Sequence, residues 1–354
     1  MLRKQIKNSI VLFFALWLVS LIMSFIFPFY WGESTQATKF EYYKKNKEKF
    51  NAVYLGGSLE YRHINPATVD SICKLNGLDF HSFNMASDGH NIIQEMTDLD
   101  GLLAIDNPKL KYIFISISSE PYFFKANLHT SKWISWHTAK STYRALRIIP
   151  TLKDDTKTKA QYCIYYPMSW MENFFKFGNM TDALTYLKNK SHPDLAYLGP
   201  RDNGFYPYDL EANHTVVEDP NNDKLIRASH DEFVRNKTKR DSLTKEILKS
   251  FSQYKSDDKP NKAEYNLLME AYKKCAKKKI QLIFMLPPKA RTSYSFLLPL
   301  FHAMPEGTKI ELADPRKYPE LYQLEYGYNF HHLNNKGATL ESKILGEQVA
   351  NLLK

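Results

Sequence analysis

The feature that most constrains this chain of 354 residues is an apolar run near its amino terminus. From Ser9 to Gly32 no side chain is ionisable except that of Tyr30, and the centre, from Ile10 to Phe27, is almost wholly apolar. At about 1.5 Å per residue, roughly twenty such residues cross a hydrocarbon core of about 30 Å. The run therefore predicts a transmembrane helix.

Two other interpretations of this run are open. A cleaved signal peptide usually has a shorter apolar region that ends in a small-x-small site, and Pro-Phe-Tyr-Trp-Gly at residues 28–32 is a poor match to one. A buried helix of a soluble domain is less favoured still. We expect residues 1–32 to form a cytoplasmic stub and an uncleaved anchor, with Phe29, Tyr30 and Trp31 in an interfacial aromatic belt.

The orientation of this anchor does not follow from charge counting alone. Arg3, Lys4 and Lys7 precede the span, but five lysines lie between residues 39 and 49. Long domains translocate largely regardless of charge, so we expect a cytoplasmic amino terminus and residues 33–354 in the periplasm or outside the cell. The net charge of +10 then fits a surface near anionic lipid or an acidic glycan, and a nucleic-acid partner is not expected.

Beyond a polar helical neck at 35–50, short apolar runs alternate with amphipathic segments, which is typical of the α/β class. The expected strands are 52–55, 79–85, 111–118, 280–286 and 308–313, and the expected helices are 66–76, 91–104, one from 263 and one from 336. Residues 122–260 lack this regularity. They are interpreted as a long insertion with some helices, either a cap over a site or a structural elaboration without ligand contact.

Chemistry is first indicated where the strand at 52–55 meets Gly56-Gly57-Ser58. Two glycines permit a sharp turn at the carboxyl end of the strand, which is the edge where open α/β sheets bind ligands. The turn exposes the hydroxyl of Ser58 as a nucleophile and its N–H as an oxyanion donor. Taken alone, such a motif is more often only a turn.

A second motif precedes the last helix, where His331 and His332 lie in the loop Tyr328 to Ala338. A histidine that enters a helix there can turn towards Ser58 and act as a general base. A metal site is not favoured, because adjacent side chains rarely converge on one ion. The three cysteines of the chain lie far apart and form no zinc motif or disulfide framework.

Together these motifs resemble the SGNH (GDSL-like) hydrolase superfamily, and Asn65-Pro66 and Pro287-Pro288 look like its membrane-anchored cell-envelope members. The resemblance covers residues 50–120 and 263–354. It implies a three-layer α/β/α, flavodoxin-like domain with a parallel sheet. It further implies a serine esterase or O-acyltransferase that acts on acyl esters of a cell-envelope glycan, without metal or cofactor. The implied partners are that glycan or an acyl donor, and a multi-span membrane acyltransferase.

Carried over position by position, the resemblance makes Ser58 the nucleophile and His332 the base. It places the N–H groups of Ser58 and Gly89 in the oxyanion hole. The family usually adds an Asn from a third block, where this chain has Ser118 and Ser119. Ser118 is the candidate replacement, with Ser119 as the alternative.

The other departure concerns the acid three residues before the histidine, which is Asn329 in this chain. Three arrangements are open: a Ser-His pair steered by Asn329, a carboxylate supplied by Glu325 or Asp88, or a catalytically weak scaffold. The last would make the chain a non-catalytic glycan-binding or assembly subunit of an envelope acylation system.

Overall fold

The computed structural model describes residues 2–117, 130–176, 178–192, 194–210, 220–289 and 292–354. They form two compact units, one of Met1–Glu41 with Phe123–Asp194 and one of Tyr42–Tyr122 with Leu195–Lys354. The segment 122–260, predicted as one insertion, is thus divided between the two units.

The described α-helices are numbered in chain order: α1 Leu2–Ile26, α2 Ser34–Asn46, α3 Ser58–His63, α4 Pro66–Leu75, α5 Ile92–Ala104, α6 Ser131–Trp136, α7 Ala139–Ile148, α8 Thr156–Phe175, α9 Met180–Asn189, α10 Pro220–Arg235, α11 Lys237–Gln253, α12 Lys262–Lys277, α13 Leu297–His302 and α14 Asn335–Leu352. Short 3₁₀ segments lie at Lys47–Lys49, Ile149–Thr151, Leu195–Leu198, Pro319–Tyr322 and Leu324–Tyr326.

In the first unit, α1 is long and apolar enough to cross a membrane. Aromatic rings after it build a small core, in which Tyr30 stacks on Phe40 with 4.8 Å between ring centroids. The indole Nε1 of Trp31 donates to Oδ1 of Asn173 at 3.0 Å. Tyr30 and Trp31 are buried within the protein, so the expectation that they form an interfacial aromatic belt is wrong, because their partners within the unit cover both rings.

The second unit contains a five-stranded, wholly parallel sheet with the order β2-β1-β3-β4-β5. Its strands are β1 Ala52–Leu55, β2 Ser82–Asn84, β3 Tyr112–Ser116, β4 Gln281–Leu286 and β5 Lys309–Glu311. The α/β class, the parallel sheet and all five predicted strands are confirmed. The two edge strands, β2 and β5, are shorter than predicted, since each pairs along one side only.

Packing against the sheet fixes the last helix and hence the loop before it. Tyr54, Phe114 and Ile283 of neighbouring strands share a buried cluster with Leu345 and Val349 of α14. Helix α14 begins at Asn335, so this cluster also holds the preceding His332 loop near the sheet. The order of the strands reverses between β1 and β3, and ligands of open sheets bind at the carboxyl ends beside such a reversal. Ser58 follows β1 at this position.

Candidate active site

Close packing, and not a left-handed conformation, demands the two glycines before Ser58. A Cβ atom on Gly56 would lie 2.3 Å from a carboxylate oxygen of Glu60, and one on Gly57 would lie 3.0 Å from the carbonyl oxygen of His90. The N–H of Gly57 donates to Oε2 of Glu60 at 2.9 Å. The turn therefore leads directly from β1 into α3 and leaves Ser58, the first residue of α3, half-buried at the edge of the sheet.

The structure brings Ser58, His332 and Asn329 into one chain of contacts. Ser58 Oγ lies 3.0 Å from His332 Nε2, and His332 Nδ1 lies 3.2 Å from Asn329 Oδ1. The predicted proximity of Ser58 and His332 is confirmed. Because an amide oxygen only accepts, His332 carries its proton on Nδ1, and the lone pair of Nε2 faces the hydroxyl of Ser58.

Backbone donors fix the orientation of the Asn329 amide. Its Oδ1 accepts from the backbone N–H of His331 at 2.8 Å and from that of His332 at 2.7 Å. The backbone N–H of Asn329 donates to the carbonyl of His332 at 3.2 Å. These contacts form a tight Asx-type turn. Asn329 is buried, so one side chain both closes the loop and holds the imidazole.

The surroundings of His332 keep its imidazole neutral. Burial lowers the pKa of His332 well below its ordinary value; the charge of nearby Arg62 lowers it further, and that of Asp88 opposes this effect. Asp88 is paired with the guanidinium of Arg62. Neutral imidazole is the form that a general base needs.

Neither carboxylate considered from the sequence bonds to this ring. Asp88 pairs with Arg62, and Glu325 pairs with Lys336, in an ion pair in which both side chains are more than half exposed. Within the part of the chain that the structure describes, no carboxylate lies within hydrogen-bonding distance of the His332 ring. The arrangement in which Glu325 or Asp88 supplies the acid is therefore not the one observed.

A second, buried histidine holds the His332 loop from behind. His63 Nε2 accepts from the N–H of Leu333 at 3.0 Å, and its Nδ1 lies 3.2 Å from Oε2 of Glu341. Burial lowers the pKa of His63 well below its ordinary value and raises that of Glu341 well above its own. A neutral pair thus links α3, the loop and α14. No motif in the sequence indicated it.

An aromatic residue outside the predicted site covers the ring of His332. Tyr208 stacks on His332 with 4.5 Å between centroids and 13° between planes, and the guanidinium of Arg62 lies 5.6 Å from the Tyr208 ring centroid. The next residue, Asp209, accepts from the N–H of Asn335 at 3.0 Å through Oδ1. Tyr208 falls in the segment interpreted as an insertion, which gave no signal for a site residue.

The structure describes two of the three residues predicted to supply oxyanion donors. Gly89 lies in an exposed turn with φ of 75°. This turn runs beside the glycines that precede Ser58, since the N–H of Ser87 donates to the carbonyl of Gly56 at 3.2 Å. The N–H of Ser58 has no intrahelical acceptor, because it opens α3. Ser118 lies outside the described residues.

The other histidine of the loop faces a separate cavity. His331 lines it together with Phe233, Arg240 and Lys289, as expected if His332 alone serves Ser58. Among the residues that the structure describes, no three His, Cys, Asp or Glu side chains are arranged to hold a metal ion.

Comparison with known protein families and with curated proteins finds no match to this chain. What the site does is therefore inferred from its geometry.

Proposed function

We propose that this chain is a membrane-anchored, SGNH-like serine esterase or O-acyltransferase. The observation that carries the proposal is the 3.0 Å contact between Ser58 Oγ and His332 Nε2, with Asn329 on the far side of the ring. A nucleophile, a base and a group that orients the base are the parts that acyl transfer through an acyl-serine requires.

In the proposed reaction, His332 Nε2 takes the proton of the Ser58 hydroxyl as Oγ attacks the ester carbonyl. The tetrahedral intermediate then collapses, the bond to the leaving alcohol breaks, and the imidazolium returns the proton to that alcohol. The acyl-Ser58 ester is next attacked by water, which gives hydrolysis, or by an acceptor hydroxyl, which gives transfer. His332 removes the attacking group's proton and returns it to Ser58 Oγ.

Negative charge on the carbonyl oxygen needs donors in the tetrahedral state. The N–H of Ser58 and the N–H of Gly89, in the turn that runs beside Gly56, are the donors that we assign to this oxyanion. Ser118 is the candidate for the third donor.

The strand order supports the finer fold assignment. The order β2-β1-β3-β4-β5 is that of flavodoxin-like doubly wound sheets. It favours the three-layer α/β/α arrangement that the SGNH superfamily implies, with the site at the carboxyl edge beside β1.

For the substrate we propose an acyl ester of a cell-envelope glycan. The rings of Tyr208 and Tyr206 flank Arg62 beside the site, and flat rings of this kind suit the apolar faces of sugars. Helix α1 is long and apolar enough to anchor the chain. We propose a cytoplasmic amino terminus, the remainder in the periplasm or outside the cell, and a multi-span membrane acyltransferase as the partner for transfer.

One observation favours a different class of function. The only side chain on Nδ1 of His332 within the described residues is the neutral Asn329, so an imidazolium formed during attack would gain no ion pair. A non-catalytic glycan-binding or assembly subunit with the same fold is therefore the alternative.

Hydrolysis of a short-chain aryl ester distinguishes the esterase or acyltransferase from the non-catalytic subunit. The full-length protein in detergent should hydrolyse the ester, and Ser58→Ala and His332→Ala should each lower the rate by about 10³-fold or more. Ser256→Ala, an exposed serine in a loop, is the matched control and should leave the rate unchanged. A wild-type rate no higher than that of Ser58→Ala would favour the binding subunit.

A further inference from the structure

Helix α8 of the first unit carries an apolar face that the unit leaves exposed. Its buried side is formed by Tyr162, Tyr166, Ser169 and Asn173. Most of the remaining surface of the helix from residue 160 to residue 175 is apolar or weakly polar, with Gln161 and Glu172 along one edge: Ala160, Cys163, Ile164, Pro167, Met168, Trp170, Met171, Phe174 and Phe175. A helix normally buries an apolar face of this width in protein or in lipid.

The exposure of this face is large. Ile164 is 59% exposed, Met168 47% and Met171 49%, and these three residues lie on successive turns. Trp170 beside them is 36% exposed. Soluble monomers rarely leave such a continuous apolar surface open to water, and patches of this kind mark protein or membrane contacts.

The position of α8 against the end of α1 indicates that lipid covers the exposed face of α8. The last turn of α8 holds the residues that follow the span, since Asn173 accepts from the indole of Trp31. The ammonium of Lys176 lies 5.6 Å from the ring centroid of Phe27 and 5.0 Å from that of Trp31. The carboxyl end of α8 is therefore at the level where α1 leaves the hydrocarbon.

The burial of side chains along α1 also places α8 near the end of the span. Its residues from position 3 to position 19 are exposed, whereas Ser20 is 6% exposed. Ser20 lies roughly 10 Å before Phe27 along the helix at about 1.5 Å per residue, and α8 contacts α1. Protein thus covers one side of the end of the span, while Ile22, Phe25 and Ile26 remain exposed, and this cover reaches a depth typical of helices that lie in the membrane interface, about 5–10 Å.

From this placement we propose that α8 is an interfacial membrane helix, whose exposed face lies among lipid headgroups and upper acyl chains on the side where α1 ends. Its amino end fits that position, because Lys157 and Lys159 lie in its first turn and long basic side chains reach the phosphates of anionic lipid. The proposal rests on α1 as a membrane span and is independent of the chemistry at Ser58.

A native probe site makes the test direct. Cys163 lies on the exposed face of α8, whereas Cys73 and Cys275 are buried, so Cys163 of the full-length chain can be labelled selectively with an environment-sensitive fluorophore. The labelled protein is reconstituted into phosphatidylcholine–phosphatidylglycerol vesicles. The matched control is Cys163→Ser with Lys140→Cys, an exposed position of α7 in the same unit.

The probe at Cys163 should emit at shorter wavelength than the control, and lipids with a nitroxide high on the acyl chain should quench it about threefold more strongly. A second measurement needs no label: brominated lipid should quench the tryptophan fluorescence of the wild type more than that of Trp170→Phe. Alkaline extraction of the vesicles shows separately whether α1 anchors the chain.

Aqueous emission at Cys163, with quenching by a water-soluble ion equal to that of the control in vesicles that retain the protein, would overturn the proposal. The face would then belong to a protein partner or to a second copy of the chain.

Discussion

Replacement of Asn329 by Asp tests the effect of a carboxylate placed beside Nδ1 of His332. The amide oxygen of Asn329 lies 3.2 Å from His332 Nδ1, so a carboxylate there would lie about 4 Å from the centre of an imidazolium charge. At an effective dielectric constant of about 20, this pair is worth about 4 kcal/mol. The reaction forms the imidazolium only in the transition state, so the pair stabilises that state over the ground state.

Burial of the new carboxylate offsets part of this gain. Asn329 is 5% exposed, and a charged group there loses most of its hydration. Two backbone N–H groups already point at its Oδ1 and remain as donors to the carboxylate. A net gain of about 2–3 kcal/mol corresponds to a rise of about 10²-fold in kcat/KM.

The assay is hydrolysis of a short-chain aryl ester by wild type, Asn329→Asp and Asn329→Ala. The alanine variant should lose about tenfold or more in rate, because the ring is no longer held. It should also lose about 1 kcal/mol of stability, because two half-buried N–H groups lose their acceptor. Asn335→Asp is the control: Asn335 is exposed in the first turn of α14, where a carboxylate is favourable, so the rate should not change.

The reasoning would be refuted by an Asn329→Asp variant that folds normally but hydrolyses the ester no faster than wild type. A rise of the same size in Asn335→Asp would show that local charge, and not the contact with His332, sets the rate.

Three further predictions follow from the same geometry. Because burial lowers the pKa of His332 well below its ordinary value, the base stays neutral in mild acid; kcat/KM against pH should remain flat as the pH falls through about 6.5, and an acid limb at neutral pH would contradict this. Gly57→Ala puts a Cβ 3.0 Å from the carbonyl oxygen of His90 and should lower ester hydrolysis about 10²-fold by displacing the nucleophile; an unchanged rate would contradict the packing argument. Burial raises the pKa of Glu60 from 4.5 to about 7. Between these pH values the folded state binds one proton more than the unfolded state, so the stability of the protein falls as the pH rises from 4.5 to about 7. Thermal melts at pH 4.5 and about pH 7 should show a smaller loss of stability for Glu60→Gln than for wild type, and an equal loss would contradict the argument.

Much of the α/β framework was readable from the sequence because its signals are local. The apolar run at 52–55 and the run ending at Leu286 predict β1 and β4 almost to the residue. Such runs are typical of parallel strands, which are buried along their length. The proximity of Ser58 and His332 was also predictable, since a Gly-Gly-Ser turn and a histidine before the last helix lead to the same edge of the sheet.

The supporting residues were not predictable, because each depends on distant parts of the chain. His63 is identified only when the Leu333 N–H and Glu341 are seen on either side of its ring. Tyr208 comes from a segment without regular periodicity and reaches His332 through tertiary packing alone. The burial of Tyr30 and Trp31 likewise depends on Phe40 and Asn173.

The most direct test of an acyl-serine enzyme is labelling with a fluorophosphonate, which reacts with a serine only when a base activates it. The full-length wild type should be labelled, mass spectrometry of the digested protein should place the adduct on Ser58, and Ser58→Ala and His332→Ala should each abolish it. Absence of labelling in folded wild type, or an adduct on a different serine, would contradict the account.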